Sequence, residues 1–159
     1  MKVSRFKQMG LSLGVASLGL LGLVSESHAV NINTSATACK GYGLSAASDF
    51  VTYSDGIRNA TTTGRYVICP VIRSPLSGTS GGFYVSGSNN PGQTTSCTLF
   101  SWEYNGTFKA AKSFQSSGAR YDSYLSFTNV ELPYGGFLSL MCYMPPNSGG
   151  VLRGVAAYQ

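Results

Sequence analysis

Five carboxylates lie beyond residue 29, and they are the side chains best suited to chemistry: Asp49, Asp55, Glu103, Asp122 and Glu131. Two of them flanking a glycosidic bond would act as acid and as base or nucleophile, and Glu103 with Asp122 is one pair such a hydrolase would use. Spacing singles out no pair. Asp55-Gly56 reads as a turn, and Glu103 alternates with Trp102 and Tyr104 on a strand, where a cross-strand lysine would neutralise it. The one histidine, His28, precedes all of these residues. A serine nucleophile would therefore need a lysine or carboxylate base, because imidazole is missing from that part of the chain. Gly78, Gly81 and Gly82 sit in a serine-rich loop without the lysine and helix start of a phosphate cradle. No catalytic residue and no cofactor is expected, so the chain reads as a non-enzyme.

His28 is set apart because residues 1–29 read as a secretory signal peptide. Lys2, Arg5 and Lys7 form the positive region, Met9 to Val24 the apolar region, and Ser27-His28-Ala29 the small-residue cleavage site. The apolar run of 16 residues falls short of the roughly 20 that span a bilayer, and Ser25 and Glu26 follow it directly. No membrane span is expected after cleavage. The destination is secreted in the broad sense: periplasm, outer surface or extracellular space. Removing 29 of 159 residues leaves 130, enough for one domain with an ordinary core. Residues 30–38 are polar and read as a flexible lead, which leaves 39–159 as a single domain.

All four cysteines, Cys39, Cys69, Cys97 and Cys142, follow the leader. An even number in an exported chain favours two disulfides, and the lack of a C-x-x-C pair or a remaining histidine argues against zinc or any other metal. Spacing leaves three pairings open, of which Cys39 with Cys69 and Cys97 with Cys142 is the one expected. Loops of about 30 and 45 residues closed in this way would each contribute on the order of 3.5–4 kcal/mol in the chain-entropy model.

No window carries a helical period. Short runs rich in Val, Ile, Tyr, Phe and Thr alternate instead with Gly, Ser, Asn and Pro clusters, as in an all-β protein. Eight strands are predicted near 48–54, 65–73, 82–87, 96–104, 107–115, 121–128, 136–144 and 151–158. The fold class is a disulfide-linked antiparallel β-sandwich, jelly-roll-like or immunoglobulin-like. Asn105-Gly106 between two of these runs predicts a type I′ hairpin turn. The stretches Ser74 to Gly82, Ser88 to Thr95 and Pro145 to Gly150 read as surface loops.

Strand alternation then sorts the faces. Cys97 and Leu99 share one face, with Phe100, Trp102 and Tyr104 on the other. Near Cys142 the split is Leu138, Leu140, Cys142 and Met144 against Phe137, Ser139, Met141 and Tyr143. If the cysteines face the core, the aromatic sets face away from it. Were the two strands neighbours, Trp102, Tyr104, Phe137 and Tyr143 would share one surface of the kind that stacks sugar rings or meets another protein. Packing under loops, the N-terminal lead or a second sheet is the stronger account of the same aromatics, since such residues suit strands in any case.

The basic residues Lys40, Arg58, Arg65, Arg73, Lys109, Lys112, Arg120 and Arg153 are spread along the chain, without the stripe of a nucleic-acid binder. No nucleic-acid partner is expected. Glycosylation sequons occur at Asn33, Asn59 and Asn105, as chance allows in a chain rich in Asn, Ser and Thr. Three functional readings remain. The first is a non-catalytic β-sandwich binding a glycan or cell-envelope component through surface aromatics. The second is a structural or interaction protein, an envelope subunit or inhibitor-like factor, and the third is the carboxylate-pair hydrolase.

Four segments together carry a resemblance: Gly56-Ile57-Arg58-Asn59, Val67-Ile68-Cys69-Pro70-Val71-Ile72-Arg73, Cys97-Thr98-Leu99, and Leu140-Met141-Cys142-Tyr143-Met144-Pro145-Pro146. In them the chain resembles a group of small exported bacterial proteins with a four-cysteine, strand-rich pattern. The resemblance spans most of the chain after the leader and implies a shared disulfide-linked β fold. It brings no activity, cofactor or catalytic residue with it.

Overall fold

The computed structural model describes residues 31–73 and 80–158. The leader, and residues 74–79 of the loop expected from Ser74 to Gly82, lie outside the described residues. Eleven strands form within them: β1 Asn31–Ser35, β2 Lys40–Tyr42, β3 Phe50–Tyr53, β4 Gly56–Asn59, β5 Arg65–Val71, β6 Gly81–Asn89, β7 Thr95–Trp102, β8 Phe108–Ser116, β9 Tyr121–Phe127, β10 Phe137–Met144 and β11 Gly150–Tyr158. One sheet runs β3-β4-β11-β6-β9, with β1 also on β11; the other runs β2-β5-β10-β7-β8. Every pairing is antiparallel. Apart from the hairpins β3–β4 and β7–β8, consecutive strands alternate between the sheets, the connection pattern of a jelly roll.

Side chains facing between the sheets alternate with outward ones along each strand, as the twofold strand period requires. In β7 the buried set is Thr95, Cys97, Leu99 and Ser101; in β10 it is Leu138, Leu140, Cys142 and Met144. From the opposing sheet Phe83, Val85, Leu125, Phe127, Leu152 and Val155 close the core. Burying each of the larger of these side chains stabilises the fold by about 1.5–3 kcal/mol. Leu132, from the connection between β9 and β10, is also fully buried. Glu131 holds that connection: its carboxylate accepts bonds from the Thr128 N–H and hydroxyl and from Lys112 Nζ, at 2.8, 3.0 and 2.7 Å, and its backbone carbonyl accepts one from Ser101 Oγ at 2.6 Å.

Both expected disulfides form, Cys39–Cys69 and Cys97–Cys142. Cys97 and Cys142 are direct partners across β7 and β10. Cys39, immediately before β2, reaches Cys69 on β5 with its Cα 4.1 Å away. Each bridge lies within the five-stranded sheet and leaves the sheet's outer face free.

Three expectations are corrected. Of the lead expected at residues 30–38, the described part, from residue 31, is not loose: Asn31–Ser35 form β1, which pairs residue by residue with Tyr158–Gly154 of β11, and Ala36 packs in the core. Polar composition concealed this edge strand because only Thr34 of its five residues is buried. The Asn105-Gly106 turn is a hairpin but not type I′. Of the two residues only Gly106 has a positive φ, 86°, and the Gly106 N–H bonds to the Glu103 carbonyl while the Glu103 N–H bonds to the Thr107 carbonyl. The loop is a type I turn followed by a left-handed glycine, with a register shift between Ser101 and Trp102. As a third correction, β7 ends at Trp102, so Tyr104 lies in the turn instead of on the strand face.

Candidate functional site

The outer face of the five-stranded sheet is formed by the side chains that alternate with the core set. From β7 it takes Ser96, Thr98, Phe100 and Trp102, and from β10 Phe137, Ser139, Met141 and Tyr143. The flanking strands add Tyr66, Ile68 and Pro70 from β5, Phe108, Ala111, Ser113 and Gln115 from β8, and Lys40 and Tyr42 from β2. All of these are exposed or half-buried. Lys40, at the β2 edge, is the one charged residue among them. Aromatic rings, short hydroxyls and a nearly uncharged surface suit a neutral ligand with apolar faces and hydroxyl edges.

The rings gather at the two ends of this face. At one end Trp102 and Phe137, directly opposed on neighbouring strands, stack with ring centroids 6.3 Å apart and planes 15° apart. Phe108 meets Trp102 edge-on at 5.5 Å and Phe100 lies 6.1 Å from it. The Trp102 indole N–H donates to Ser139 Oγ at 3.1 Å, which fixes the ring's orientation. Phe108 and Phe137 are 52% and 49% exposed. At the other end Tyr66 and Tyr143 meet edge-on at 5.4 Å. Beside them a groove of about 420 Å³ is lined by Tyr42, Leu44, Ser45, Gly64, Arg65, Tyr66 and Met141. Gly64 permits this arrangement, since a Cβ there would fall 1.9 Å from the Tyr143 hydroxyl oxygen.

Of the four aromatics expected to share a surface, the structure brings Trp102 and Phe137 into contact. It places Tyr143 on the same face but six residues along β10, about 20 Å away at the usual strand rise. Tyr104 is carried to the hairpin tip, 78% exposed and outside the described ring pairs. Phe108 and Tyr66 complete the two ring groups and were not singled out in the sequence. Their membership depends on strand register, which alternation within one strand does not reveal.

The carboxylates do not assemble. Asp49 pairs with Arg65, Asp55 with Arg58, Glu103 with Lys109 and Glu131 with Lys112, at 2.9, 2.8, 3.0 and 2.7 Å. The lysine expected to neutralise Glu103 is thus Lys109. Asp122 lies on β9 of the other sheet, so the hydrolase pair Glu103 and Asp122 is divided between the two sheets. Glu131 is held well down, to about 2, by its Lys112 and Thr128 hydrogen bonds, and is therefore a poor proton donor or acceptor near neutrality. Gly78 to Gly82 has the G-x-S-x-G spacing of a nucleophile elbow, but Ser80 leads into a strand, β6, and not into the helix such an elbow requires. Among the described residues no group of three His, Cys, Asp or Glu side chains could hold a metal ion, and no helix is long and apolar enough to cross a membrane.

The sequon asparagines differ in setting. Asn59 is fully buried: its Nδ2 donates to the Thr63 and Met144 carbonyls, and its Oδ1 accepts from the Thr61 N–H and hydroxyl. It is a core strut tying β4 to β10, whereas Asn33 and Asn105 are exposed.

Strand pairing and burial define the class of protein: an antiparallel two-sheet sandwich, bridged twice by disulfides, with an aromatic outer face. No protein-family model matches the chain, and no curated protein matches it. Solved structures similar to it include TmCBM61 in complex with β-1,4-galactotriose, at 11% identity and a TM-score of 0.45 over 84% of this chain and 89% of that one. CBM35 from Paenibacillus barcinonensis is similar at 11% identity and TM-score 0.46, over 80% and 97% of the two chains. A family 35 carbohydrate binding module from Clostridium thermocellum is similar at 12% and 0.43, over 81% and 97%. Likeness at these values transfers no ligand, and the architecture rests on the strand pairing itself.

Proposed function

We propose that this protein is an exported, non-catalytic binding protein whose five-stranded sheet receives a neutral glycan on its outer face. The observation that carries this reading is the Trp102–Phe137 stack. Two nearly parallel rings lie side by side on a surface otherwise made of hydroxyls and apolar groups. A pyranose presents an apolar C–H face to such a platform and its hydroxyls to flanking donors and acceptors. Ser139, Thr98 and Ser113 supply those groups, with Thr98 Oγ1 and Ser113 Oγ already 2.8 Å apart. Export is supported by the leader-like residues 1–29 and by two closed bridges, which persist in oxidising compartments.

A protein component of the cell envelope is the second reading. The observation favouring it is the groove end of the same face, where Leu44 is wholly exposed beside Tyr42 and Tyr66, more apolar than a sugar alone requires.

Trp102 is the chain's only tryptophan, so its emission reports this face alone. Titration with neutral oligosaccharides should give a saturable emission change that Phe137→Ala removes. No response across a broad panel of neutral glycans, together with crosslinking of the face to an envelope protein, would replace the first reading by the second.

A further inference from the structure

The second sheet carries an aromatic group of different design. Tyr84 on β6 lies between Tyr124 on β9 and Tyr158 on β11, with ring centroids 4.9 and 5.2 Å away. The planes are inclined at 47° and 75°, so the three rings offer no flat platform of the Trp102–Phe137 kind. They form an angular wall instead. A depression of about 490 Å³ is lined by these three tyrosines and Asp122.

Two features make the wall a site for positive charge. Asp122 is exposed and takes part in none of the four ion pairs among the described residues. Arg153, on β11 with β6 between it and Asp122, donates to the Gly87 carbonyl at 3.1 Å, and Arg58 is held by Asp55, so neither is in an ion pair with Asp122. The wall is also preorganised. Gly82 lets the Tyr124 ring lie against the β6 backbone, where a Cβ would fall 2.6 Å from ring atom Cε2. A cation within about 6 Å of a ring centroid is attracted by the negative π-face, and alkylated ammonium ions gain most because they shed water easily.

We propose that Tyr84, Tyr124, Tyr158 and Asp122 form a second binding site, selective for a methylated or quaternary ammonium group. The site is independent of the glycan face, since it lies on the opposite sheet. The ammonium sits against the three rings, and Asp122 supplies the counter-charge. Free choline-like solutes and the headgroup of a choline lipid share this chemistry.

The test is an NMR titration of the folded, disulfide-bonded protein with tetramethylammonium, choline, and the neutral tert-butyl isostere of choline, with phosphatidylcholine vesicles as a separate arm. Saturable shifts of the Tyr84, Tyr124 and Tyr158 ring signals with both cations, and not with the isostere, are expected. Asp122→Asn should weaken the response by about fivefold and Tyr124→Ala abolish it, while Tyr124→Phe retains it. Association with vesicles that free choline competes away would assign the headgroup as the source; saturation by free choline without vesicle association would assign the solute. An equal response to the isostere, a response indifferent to Asp122→Asn, or no saturation with any cation would overturn the proposal.

Discussion

Trp102 and Phe137 are direct partners across β7 and β10, stacked at 6.3 Å with planes 15° apart, while Ser101 and Leu138 beside them are buried on the inner face. The platform is therefore rigid without being buried. Rigid aromatic anchors are the side chains whose truncation costs binding most, by about 2 kcal/mol or more at a hot spot. Trp102→Ala and Phe137→Ala should each weaken saccharide binding at least about tenfold by calorimetry. Tyr104→Ala, at the hairpin tip, should change it little.

The bridges differ from the platform in acting on the whole fold. Replacing Cys97 and Cys142 together by alanine should lower stability in denaturant by on the order of 4 kcal/mol, and replacing Cys39 and Cys69 by on the order of 3.5 kcal/mol. The aromatic face should keep its emission maximum below the transition, because each bridge lies within the sheet and away from its outer surface. A shifted maximum in the folded variant would show that a bridge shapes the face.

Gly56 joins β3 to β4 at φ +143°, and a Cβ there would fall 2.1 Å from the Leu152 carbonyl oxygen of β11. The neighbouring group is backbone and cannot swing aside. Gly56→Ala should therefore cost more than about 2 kcal/mol, measured by denaturant unfolding. Gly92→Ala should cost less, since only its positive φ opposes the change and its Cβ would meet open space.

Asn59 satisfies four hydrogen bonds from a fully buried position. Asn59→Ala should destabilise the fold by about 2–3 kcal/mol, because the Thr61 N–H and the Thr63 and Met144 carbonyls lose their partner. In a glycosylating host, mass analysis of the folded protein should find Asn59 unmodified.

Glu131 and Tyr121 couple stability to pH at opposite ends of the range. Glu131 is held at about 2 by Lys112 and Thr128, below its usual range, so its contribution is complete above pH ~4.3 and is lost as pH falls toward 2. Tyr121 is pushed up to about 12, chiefly by burial. The folded state holds that proton more tightly than the unfolded one, so this contribution is complete below pH ~10 and is lost as pH rises through 12. Glu131→Gln should flatten the acid side of the stability profile and Tyr121→Phe the alkaline side, each leaving the other side unchanged.

The long strands are legible because β5, β7 and β10 alternate cleanly, and Cys97, Leu99, Leu140 and Cys142 fall on the buried side that their spacing implies. The short ones are not. β1 and β2 are edge strands of five and three residues whose order comes from partners far along the chain. The aromatic face was half legible for a related reason. Trp102 and Phe137 could be placed on outward faces from alternation alone, but their contact, the recruitment of Phe108 and the 20 Å displacement of Tyr143 follow from register. A two-residue turn at Asn105-Gly106 would put Tyr104 on the strand. The actual loop includes Tyr104, which removes it from the strand.

Whether the outer face of the five-stranded sheet receives a glycan is decided by backbone and side-chain NMR mapping of a saturating neutral oligosaccharide. Shifts should centre on the Trp102 indole N–H, Phe137, Phe108 and Ser139, fade toward Lys40 and be absent from the tyrosine wall of the opposite sheet. Shifts confined to Tyr84, Tyr124 and Tyr158, or an unmoved Trp102 indole signal under saturating ligand, would contradict a glycan site on that face.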